Sequence, residues 1–305
     1  MLACLPDRIA GLDVRSELRQ DPPAGVEIVF WDGEAEPPRR GEIAFLVVPL
    51  DLEVRAAIER MPRLEVLQTL SAGVDQIIDA VPEGVTLCDA RGVHGSAVAE
   101  WVLAVTLAAL RGLPKFVREQ DRARWAPSST EELHGKRALI VGAGDAGQNV
   151  ARLFAACEAD TILVARRARD GVHAREDLPS LLPSADVVVV VVPLTPATAG
   201  MVDAGFLAAM PEGALLVNAA RGSVVNTDAL VKEVMAGRLR AALDVTDPEP
   251  LPPEHPLWRA PGVLLTPHVA GGVTGFPARA LALVRAQLGR HVRAEPLENV
   301  VSDGY

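Results

Sequence analysis

Short apolar runs alternate with segments of helical periodicity along most of the chain. Before residue 97, four apolar runs predict strands at residues 25–31, 43–48, 64–70 and 85–88, with helical patterns at 52–61 and 74–81. A helix is predicted at 97–110, followed by a polar, arginine-rich stretch at 111–134. The alternation then resumes, with strands predicted at 137–141, 161–164, 187–192, 214–218, 241–245 and 263–266 and helices at 147–156, 178–182, 205–210, 227–236 and 277–292. This order favours βαβ units and parallel sheets, so we predict an α/β fold with two Rossmann-like or flavodoxin-like domains.

The length and composition favour a globular protein and argue against nucleic-acid binding. The chain has 305 residues, 49% of them hydrophobic and 23% charged, which is not the composition of a disordered protein. At ~150 residues per domain the length predicts two domains. The 30 basic and 40 acidic residues give a formal net charge of −10. Since a phosphate backbone attracts basic surfaces, nucleic acid is not an expected partner.

The sequence carries no pattern of a membrane span, a signal peptide or a metal site. No run reaches the ~18 apolar residues of a membrane span, and the first residues lack a basic start followed by an apolar core. The cysteines, Cys4, Cys88 and Cys157, form no CxxC pair, which argues against a disulfide framework and a cysteine-rich zinc site. We therefore expect a cytoplasmic protein with no membrane partner and no bound metal.

A glycine-rich segment follows the strand predicted at 137–141. Residues 142–147 read GAGDAG and match G-x-G-x-x-G, between a predicted strand and a predicted helix. In that context the first glycine allows a tight turn, the second lets the backbone approach a pyrophosphate, and the third lets helix and strand pack closely. Free N–H groups at the start of the helix attract anions. We predict that a dinucleotide is bound by Gly142, Gly144, Asp145, Ala146 and Gly147.

The end of the next strand predicts which dinucleotide is preferred. In NAD-binding proteins a carboxylate ~20 residues after the glycine motif binds the ribose 2′-hydroxyl. Here Ala165 is followed by Arg166 and Arg167, with no carboxylate. A guanidinium pairs with a 2′-phosphate, which a carboxylate repels, so NADP is the preferred cofactor. NAD remains possible, because the chain is arginine-rich and both arginines also suit a solvated strand end.

Three further segments place a chargeable side chain just after a predicted strand. They are NAARG at 218–222, DVTDPEPLP at 244–252 and TPHVAG at 266–271. Ligands of open parallel sheets bind at the carboxyl ends of the strands. Arg221, Glu249 and His268 are therefore predicted to converge on one crevice. Each alone is more often a solvated or structural residue, but three in succession favour a shared site.

Together these motifs resemble the D-isomer-specific 2-hydroxyacid dehydrogenase family. The patterns N-x-x-R-G, D-V-x-x-x-E-P-L-P and T-P-H-x-x-G occur here in order, after the glycine loop. The segments SAGVD at 71–75, AVAE at 97–100 and VPLT at 192–195, with Thr198, also match. The resemblance therefore covers nearly the whole chain. Departures at 88–92 and at Thr246 concern the substrate pocket and leave the identity of the substrate open.

The resemblance implies two domains with the active site in the cleft between them. Residues 1–96 and 276–305 would form a discontinuous substrate-binding domain, and residues 97–275 a Rossmann domain for the dinucleotide. It also implies a homodimer. The apolar helix at 97–110 and the arm at 111–134 are the predicted interface, because so apolar a helix exceeds what one domain edge buries.

The resemblance also implies a reaction, the NAD(P)-dependent reduction of a small 2-keto acid such as glyoxylate or hydroxypyruvate. His268 would act as general acid and base, Glu249 would orient and charge its imidazole, and Arg221 would bind the substrate carboxylate. The backbone of the loop Ser71, Ala72 and Gly73 would bind the same carboxylate. The remaining contacts to the cofactor would come from Pro193, Thr198, Ala219, Asp244, His268 and Gly271.

Two other functions are compatible with part of this pattern. A dinucleotide-sensing interaction protein, resembling the corepressors built on this fold, would keep the same three side chains and bind NADPH without turnover. A methyl-donor nucleotide enzyme would use the glycine loop but leaves Arg221, Glu249 and His268 unexplained. The oxidoreductase is the leading hypothesis.

Overall fold

The computed structural model describes residues 1–20, 23–33, 36–48, 58 and 60–302. The chain divides into two compact units. The discontinuous unit comprises Met1–His94 and Val273–Tyr305, and the continuous unit comprises Gly95–Gly272. The boundaries predicted after residues 96 and 275 lie two and three residues from those after His94 and Gly272. What each unit binds stays a prediction.

The described part of the discontinuous unit contains a parallel sheet flanked by helices. Its strands are β1 (Leu2–Pro6), β2 (Arg8–Ile9), β3 (Leu12–Asp13), β4 (Glu27–Trp31), β5 (Phe45–Val48), β6 (Val66–Thr69) and β7 (Thr86–Cys88). Its helices are Val14–Gln20 and Phe276–Val292, with 3-10 turns at Arg40–Glu42 and Ile78–Ala80. The sheet order is β4-β1-β5-β6-β7, all parallel, while β2 and β3 form a short antiparallel ribbon. This is the doubly wound order of flavodoxin-like folds.

The first strand of this sheet was not predicted from the sequence. Leu2–Pro6 is buried at every position and pairs with both β4 and β5. Its residues include alanine, cysteine and proline but no β-branched residue, so the usual strand signal is weak. The helix predicted at 74–81 is wrong, since only the 3-10 turn Ile78–Ala80 forms there. Most of the helix predicted at 52–61 lies outside the described residues.

The continuous unit has a second, larger parallel sheet. Its strands are β8 (Arg137–Val141), β9 (Asp160–Ala165), β10 (Val172–Ala174), β11 (Val187–Val190), β12 (Leu215–Asn218), β13 (Arg240–Leu243) and β14 (Val263–Leu265). Its α-helices are Gly95–Leu110, Leu113–Asp121, Asp145–Ala156, Leu178–Leu181, Ala204–Ala209 and Thr227–Met235, and its 3-10 turns are Arg175–Asp177, Leu182–Ser184, Gly222–Val224 and Pro256–Arg259. The sheet order is β10-β9-β8-β11-β12-β13-β14. The predicted α/β fold with two parallel sheets is confirmed.

The strand Val187–Val190 shows why the strands of this sheet have continuous apolar sequences. Val188 and Val190 belong to one apolar core, and Val187 and Val189 belong to another. All four are fully buried, because helices cover both faces of a doubly wound sheet and alternate side chains point to opposite faces. Because these strands pair in parallel, the carboxyl ends of β8 and β11 to β14 lie along one edge of the sheet.

The arginine-rich stretch at 111–134 contains a helix that the sequence did not predict. Leu113–Asp121 follows Gly112, which has a positive φ of 63°, and its second residue is Pro114, which the first helical turn tolerates. Within the described ranges no single helix is both long and apolar enough to cross a membrane, and Gly95–Leu110 and Leu113–Asp121, which reach that length only together, are bent by 67°.

Candidate active site and dinucleotide cradle

The glycine loop after β8 is shaped by two glycines that admit no side chain. Gly142 has a φ of 120°, and a Cβ there would lie 2.5 Å from the carbonyl oxygen of Val191. A Cβ at Gly147 would lie 1.7 Å from the carbonyl oxygen of Gly142. Both contacts are with backbone, which cannot move aside cheaply. These two glycines are therefore required for the turn and for the packing of helix on strand.

Gly144 differs, because its missing Cβ faces open space. No atom lies within 4 Å of the position that a Cβ would take, and Gly144 is the N-cap of the helix Asp145–Ala156. Packing within the chain thus does not require glycine here, whereas the close approach of a phosphate does. With the free N–H groups of the helix start, this cradle fits a pyrophosphate.

The carboxylate of Asp145 is directed toward the start of another helix. A Cβ at Gly95 would lie 1.8 Å from Asp145 Oδ2, so the carboxylate packs directly on the first residue of Gly95–Leu110. Asp145 Oδ1 also accepts a hydrogen bond from Asn149 Nδ2 at 3.1 Å. A carboxylate near the positive end of a helix is favourable. Asp145 thus contributes its backbone to the predicted cradle, while its side chain is engaged elsewhere.

Two arginines follow the end of β9, as the sequence predicted. The strand ends at Ala165, and Arg166 and Arg167 are exposed at its carboxyl edge. The nearby Arg169 was not among the predicted site residues. It donates from Nη2 to the carbonyl oxygen of Ala143, in the glycine loop, at 2.7 Å.

Asn218, the last residue of β12, builds the turn that carries Arg221. Its Oδ1 accepts from the N–H of Ala220 at 3.0 Å, and its Nδ2 donates to the carbonyl oxygen of Arg221 at 3.0 Å. The guanidinium of Arg221 donates from Nη1 to the Ala220 carbonyl. A Cβ at Gly222 would lie 1.9 Å from the carbonyl oxygen of Thr246. The pattern N-x-x-R-G thus describes a turn packed against the loop after β13.

Asp244, at the end of β13, holds the segment that carries His268. The residue is only 3% exposed. Its Oδ1 accepts from Thr266 Oγ1 at 2.6 Å and from the N–H of Val269 at 2.9 Å, and its Oδ2 accepts from the N–H of Ala270 at 2.8 Å. The backbone N–H of His268 also donates to the Asp244 carbonyl oxygen at 2.8 Å. Thr266 was not among the predicted site residues, although a polar residue directly after a strand is a recognisable signal.

The side chains of His268 and Glu249 are in contact. His268 Nδ1 lies 2.7 Å from Glu249 Oε1, and the two side chains are 48% and 40% exposed. His268 has a φ of 53°, in the left-handed region that costs energy for a residue with a side chain. Arg221, Glu249 and His268 follow the neighbouring strands β12, β13 and β14. The sheet thus places all three residues along one edge.

Other predicted cofactor contacts lie in tightly closed turns of the same unit. Thr198 Oγ1 accepts from the N–H of Thr195 at 2.8 Å and donates to the carbonyl oxygen of Pro193 at 2.6 Å. The N–H of Ala219 donates to the carbonyl oxygen of Val190. The hydroxyl of Thr198 therefore closes its own loop, and a contact with the cofactor stays a prediction.

In the discontinuous unit, the loop after β6 contains the predicted substrate contacts. The carbonyl oxygen of Ser71 accepts from Thr69 Oγ1 at 2.7 Å and from the N–H of Ala90 at 3.0 Å. The N–H of Gly73 donates to Ser71 Oγ at 3.1 Å, so it already has an acceptor within the loop. Ala72 is half-buried between them. The loop is therefore well fixed, and its role toward substrate stays a prediction.

Comparison with known proteins places the chain among dehydrogenases. Residues 103–270 match the family model for the D-isomer specific 2-hydroxyacid dehydrogenase, NAD binding domain. A glyoxylate reductase of Thermofilum pendens is 33% identical over 285 residues, covering 86% of this chain and 84% of that protein. A D-3-phosphoglycerate dehydrogenase of Archaeoglobus fulgidus is 31% identical over 263 residues, covering 83% of this chain. The chain spans about half the length of that protein, 49%.

A solved structure extends the similarity to almost the whole chain. The NADPH-dependent glyoxylate/hydroxypyruvate reductase of Sinorhizobium meliloti, crystallised with NADP and sulfate, has a TM-score of 0.85 and 28% identity. The match covers 99% of this chain and 98% of that one. From the family model and these relatives, the chain belongs to the D-isomer-specific 2-hydroxyacid dehydrogenase family.

Proposed function

We propose that this chain is an NADP-dependent oxidoreductase that reduces a small 2-keto acid to the D-2-hydroxy acid, with His268 as general acid and base. The observation that carries the proposal is the 2.7 Å contact between His268 Nδ1 and Glu249 Oε1. A histidine oriented by a carboxylate at a strand end is suited to exchanging a proton, because imidazole titrates near neutral pH.

The contact with Glu249 determines which ring nitrogen of His268 exchanges a proton with the substrate. Reduction adds a hydride to the carbonyl carbon and a proton to the carbonyl oxygen, and the bound reduced nicotinamide supplies the hydride. With Nδ1 held by Glu249, His268 gives the proton from Nε2, and in the oxidation direction Nε2 takes it back. Glu249 stabilises the imidazolium before the proton leaves. Arg221 binds the substrate carboxylate through its guanidinium.

The cofactor would be held by the glycine loop and the strand ends beside it. The backbone at Gly142, Gly144, Asp145, Ala146 and Gly147 would bind the pyrophosphate, and Pro193, Thr198, Ala219, Asp244, His268 and Gly271 would contribute toward the nicotinamide. Arg166 and Arg167 favour NADP, because their exposed guanidiniums follow β9 where NAD-specific sites carry a carboxylate. The Sinorhizobium relative crystallised with NADP supports the same preference.

The substrate class is a small 2-keto acid such as glyoxylate or hydroxypyruvate. The Thermofilum relative is named a glyoxylate reductase and the Sinorhizobium relative a glyoxylate/hydroxypyruvate reductase. The Archaeoglobus relative is named a phosphoglycerate dehydrogenase. A panel must therefore include glyoxylate, hydroxypyruvate, pyruvate and 3-phosphohydroxypyruvate, each with NADPH and with NADH.

Loss of reduced nicotinamide absorbance with this panel tests the function. We expect NADPH oxidation with at least one unphosphorylated acid, and H268Q should lower kcat by roughly 10²- to 10⁴-fold while the protein still binds NADPH through the glycine loop. H173Q is the matched control, because His173 faces Asp177 across 3.4 Å on the surface of the same unit. NADPH binding without turnover of any acid would contradict an enzymatic role and indicate the corepressor-like alternative.

A homodimer through the helix Gly95–Leu110 and the arm at 111–134 is part of the proposal. The arm exposes Leu113, Val117 and Trp125, and Trp125 is 97% exposed. Exposed large apolar side chains grouped in one segment are typical of an interface. Light scattering after gel filtration should give twice the chain mass, and W125E should shift the protein toward the monomer. M235E, at an exposed apolar position outside the arm, should not.

A further inference from the structure

Arg169 connects the glycine loop to the turn that follows β9. The N–H of Arg169 donates to the carbonyl oxygen of Val172 at 3.0 Å, and the N–H of Val172 donates back to the Arg169 carbonyl at 2.8 Å. This reciprocal pair closes the turn, and Val172 begins β10, which is paired with β9. The backbone of Arg169 is therefore fixed to the sheet, although its side chain leaves the turn.

The side chain of Arg169 reaches the middle of the glycine loop. Its Nη2 donates to the carbonyl oxygen of Ala143 at 2.7 Å. The neighbouring Gly142 donates its N–H to the carbonyl oxygen of Val164, in β9, at 2.9 Å. The loop is thus tied to β9 and its turn by two hydrogen bonds, and the one from the guanidinium is charge-assisted and therefore the stronger type.

The contact fixes the orientation of one peptide unit of the cradle. In a planar trans peptide the N–H points opposite to the preceding C=O. With the Ala143 carbonyl directed at Arg169, the N–H of Gly144 is directed to the opposite side of the loop. Gly144 is also the glycine whose Cβ position meets no atom within 4 Å. Arg169 thus sets the direction of a backbone donor at the open part of the cradle.

We propose that Arg169 is a positioning residue for the dinucleotide, which holds the glycine loop in its binding conformation through the Ala143 carbonyl. The inference rests on the proposed dinucleotide binding. It gives Arg169 a role different from that of Arg166 and Arg167. Because the pyrophosphate is common to NADPH and NADH, loss of Arg169 weakens both cofactors alike, whereas loss of a 2′-phosphate ligand weakens NADPH alone.

The test is the dissociation constant of NADPH and of NADH, measured by fluorescence titration of the full chain. R169A should raise both constants about tenfold, the low end for a hydrogen bond to a charged group, with their ratio unchanged within about twofold. R169K, which keeps a cationic donor, should recover part of the affinity. R166A and R167A should raise the NADPH constant selectively.

A second readout follows the loop itself in the protein without nucleotide. Amide hydrogen exchange at residues 143–148 should be faster in R169A than in the wild type, as a loosened loop opens more often. R285A is the matched control, because Arg285 Nη2 donates to the carbonyl oxygen of Glu17 at 2.8 Å in the discontinuous unit. It should change neither the exchange of this loop nor either dissociation constant.

The outcomes separate this inference from the proposed function. A selective loss of NADPH in R169A would make Arg169 a 2′-phosphate ligand and overturn the positioning role. Unchanged constants for both cofactors would overturn it as well. A wild-type protein that binds neither cofactor would instead remove the proposed function on which it rests.

Discussion

His268 Nδ1 lies 2.7 Å from Glu249 Oε1, although the two residues are carried by loops after different strands. The backbone of the same histidine is held separately, by the carbonyl oxygen of Asp244 at 2.8 Å. His268 is therefore held at two points, its ring nitrogen and its backbone N–H. This double restraint accounts for a histidine held at a φ of 53°, where strain indicates a functional constraint.

Replacing Glu249 by glutamine removes the charge of this side chain and nearly keeps its shape. E249Q keeps an oxygen near His268 Nδ1 but removes the negative charge that stabilises an imidazolium. We expect kcat for keto-acid reduction to fall by roughly ten- to hundredfold, corresponding to about 1.4–2.7 kcal/mol, with the NADPH dissociation constant unchanged. Steady-state kinetics and fluorescence titration measure the two effects. E254Q, in the same proline-rich segment at an exposed position, should leave both unchanged.

Asp244 is expected to act through the segment it holds. D244N replaces one carboxylate oxygen by an NH₂ group, which cannot accept from Val269 or Ala270. A buried donor left without an acceptor costs about 1–3 kcal/mol, so the free energy of unfolding should fall by that amount and kcat should fall with it. T266V, which removes only the hydroxyl donor at 2.6 Å, should have a smaller effect on both.

The same variant distinguishes two roles for Asp244. If the carboxylate acts only by positioning His268, D244N lowers kcat and leaves the NADPH dissociation constant unchanged. A contact with the nicotinamide, as the resemblance implies, predicts a raised dissociation constant in addition. Urea unfolding, kinetics and nucleotide titration together decide between them.

Most strands of the two sheets could be predicted because the sequence pattern of a strand lies within a short segment of the chain. Alternating apolar runs and helical patterns repeat along the chain, and the run at Val187–Val190 needs only its own residues to indicate a strand buried on both faces. The strand Leu2–Pro6 lacked such a signal. It is a strand because β4 and β5 flank it, which is tertiary information that no short window contains.

The residues of the candidate site and the pairing of Glu249 with His268 were expected from the motifs and the family resemblance, but the hydrogen bonds that hold their loops could not be predicted. Glu249 and His268 were expected to converge because each follows a parallel strand. The distance between them depends on how the loop after β13 folds. That loop is held by Thr227 Oγ1, from the helix Thr227–Met235, which donates to the Asp247 carbonyl oxygen, and within the loop by Trp258 Nε1, which donates to that of Pro252.

The contact of Arg169 with the glycine loop is a further feature that could not be predicted from the sequence. Arg169 lies two residues after Arg167, and nothing in the sequence indicated a contact with the glycine loop. Its contact with Ala143 spans 26 positions and uses a main-chain carbonyl, which every residue possesses. Only the folded turn after β9 identifies this guanidinium as the one that reaches the glycine loop.

Asp89, which follows β7, should make stability depend on pH. The carboxyl group is only 1% exposed, and burial raises its pKa above the usual range, opposed by hydrogen bonds from the backbone and side chain of Arg91. A carboxyl group with a raised folded-state pKa favours folding most when protonated. Its contribution is therefore lost as pH rises from about 3.9, the unfolded value, through the folded-state pKa.

The variant D89N tests the predicted direction of this pH dependence of stability. Asparagine does not titrate, so the stability of D89N relative to the wild type should increase as pH rises through that window and then level off. Urea unfolding at several pH values between about 3.5 and 7 measures the difference. D79N, at an exposed position in the same unit, should show no such trend. A difference between D89N and the wild type that is independent of pH would contradict the assignment.

Gly144 and Gly147 should respond in opposite ways to the same added methyl group. A Cβ at Gly144 meets no atom within 4 Å, whereas one at Gly147 would lie 1.7 Å from the Gly142 carbonyl oxygen. G144A should therefore keep the Tm of the wild type within about 2 °C and yet weaken NADPH binding at least about tenfold, because the methyl group occupies the space that a phosphate needs. G147A should lower the Tm by several degrees, since backbone must move. Thermal unfolding without nucleotide and fluorescence titration with NADPH separate the two effects. Wild-type affinity in G144A would show that no phosphate approaches this glycine.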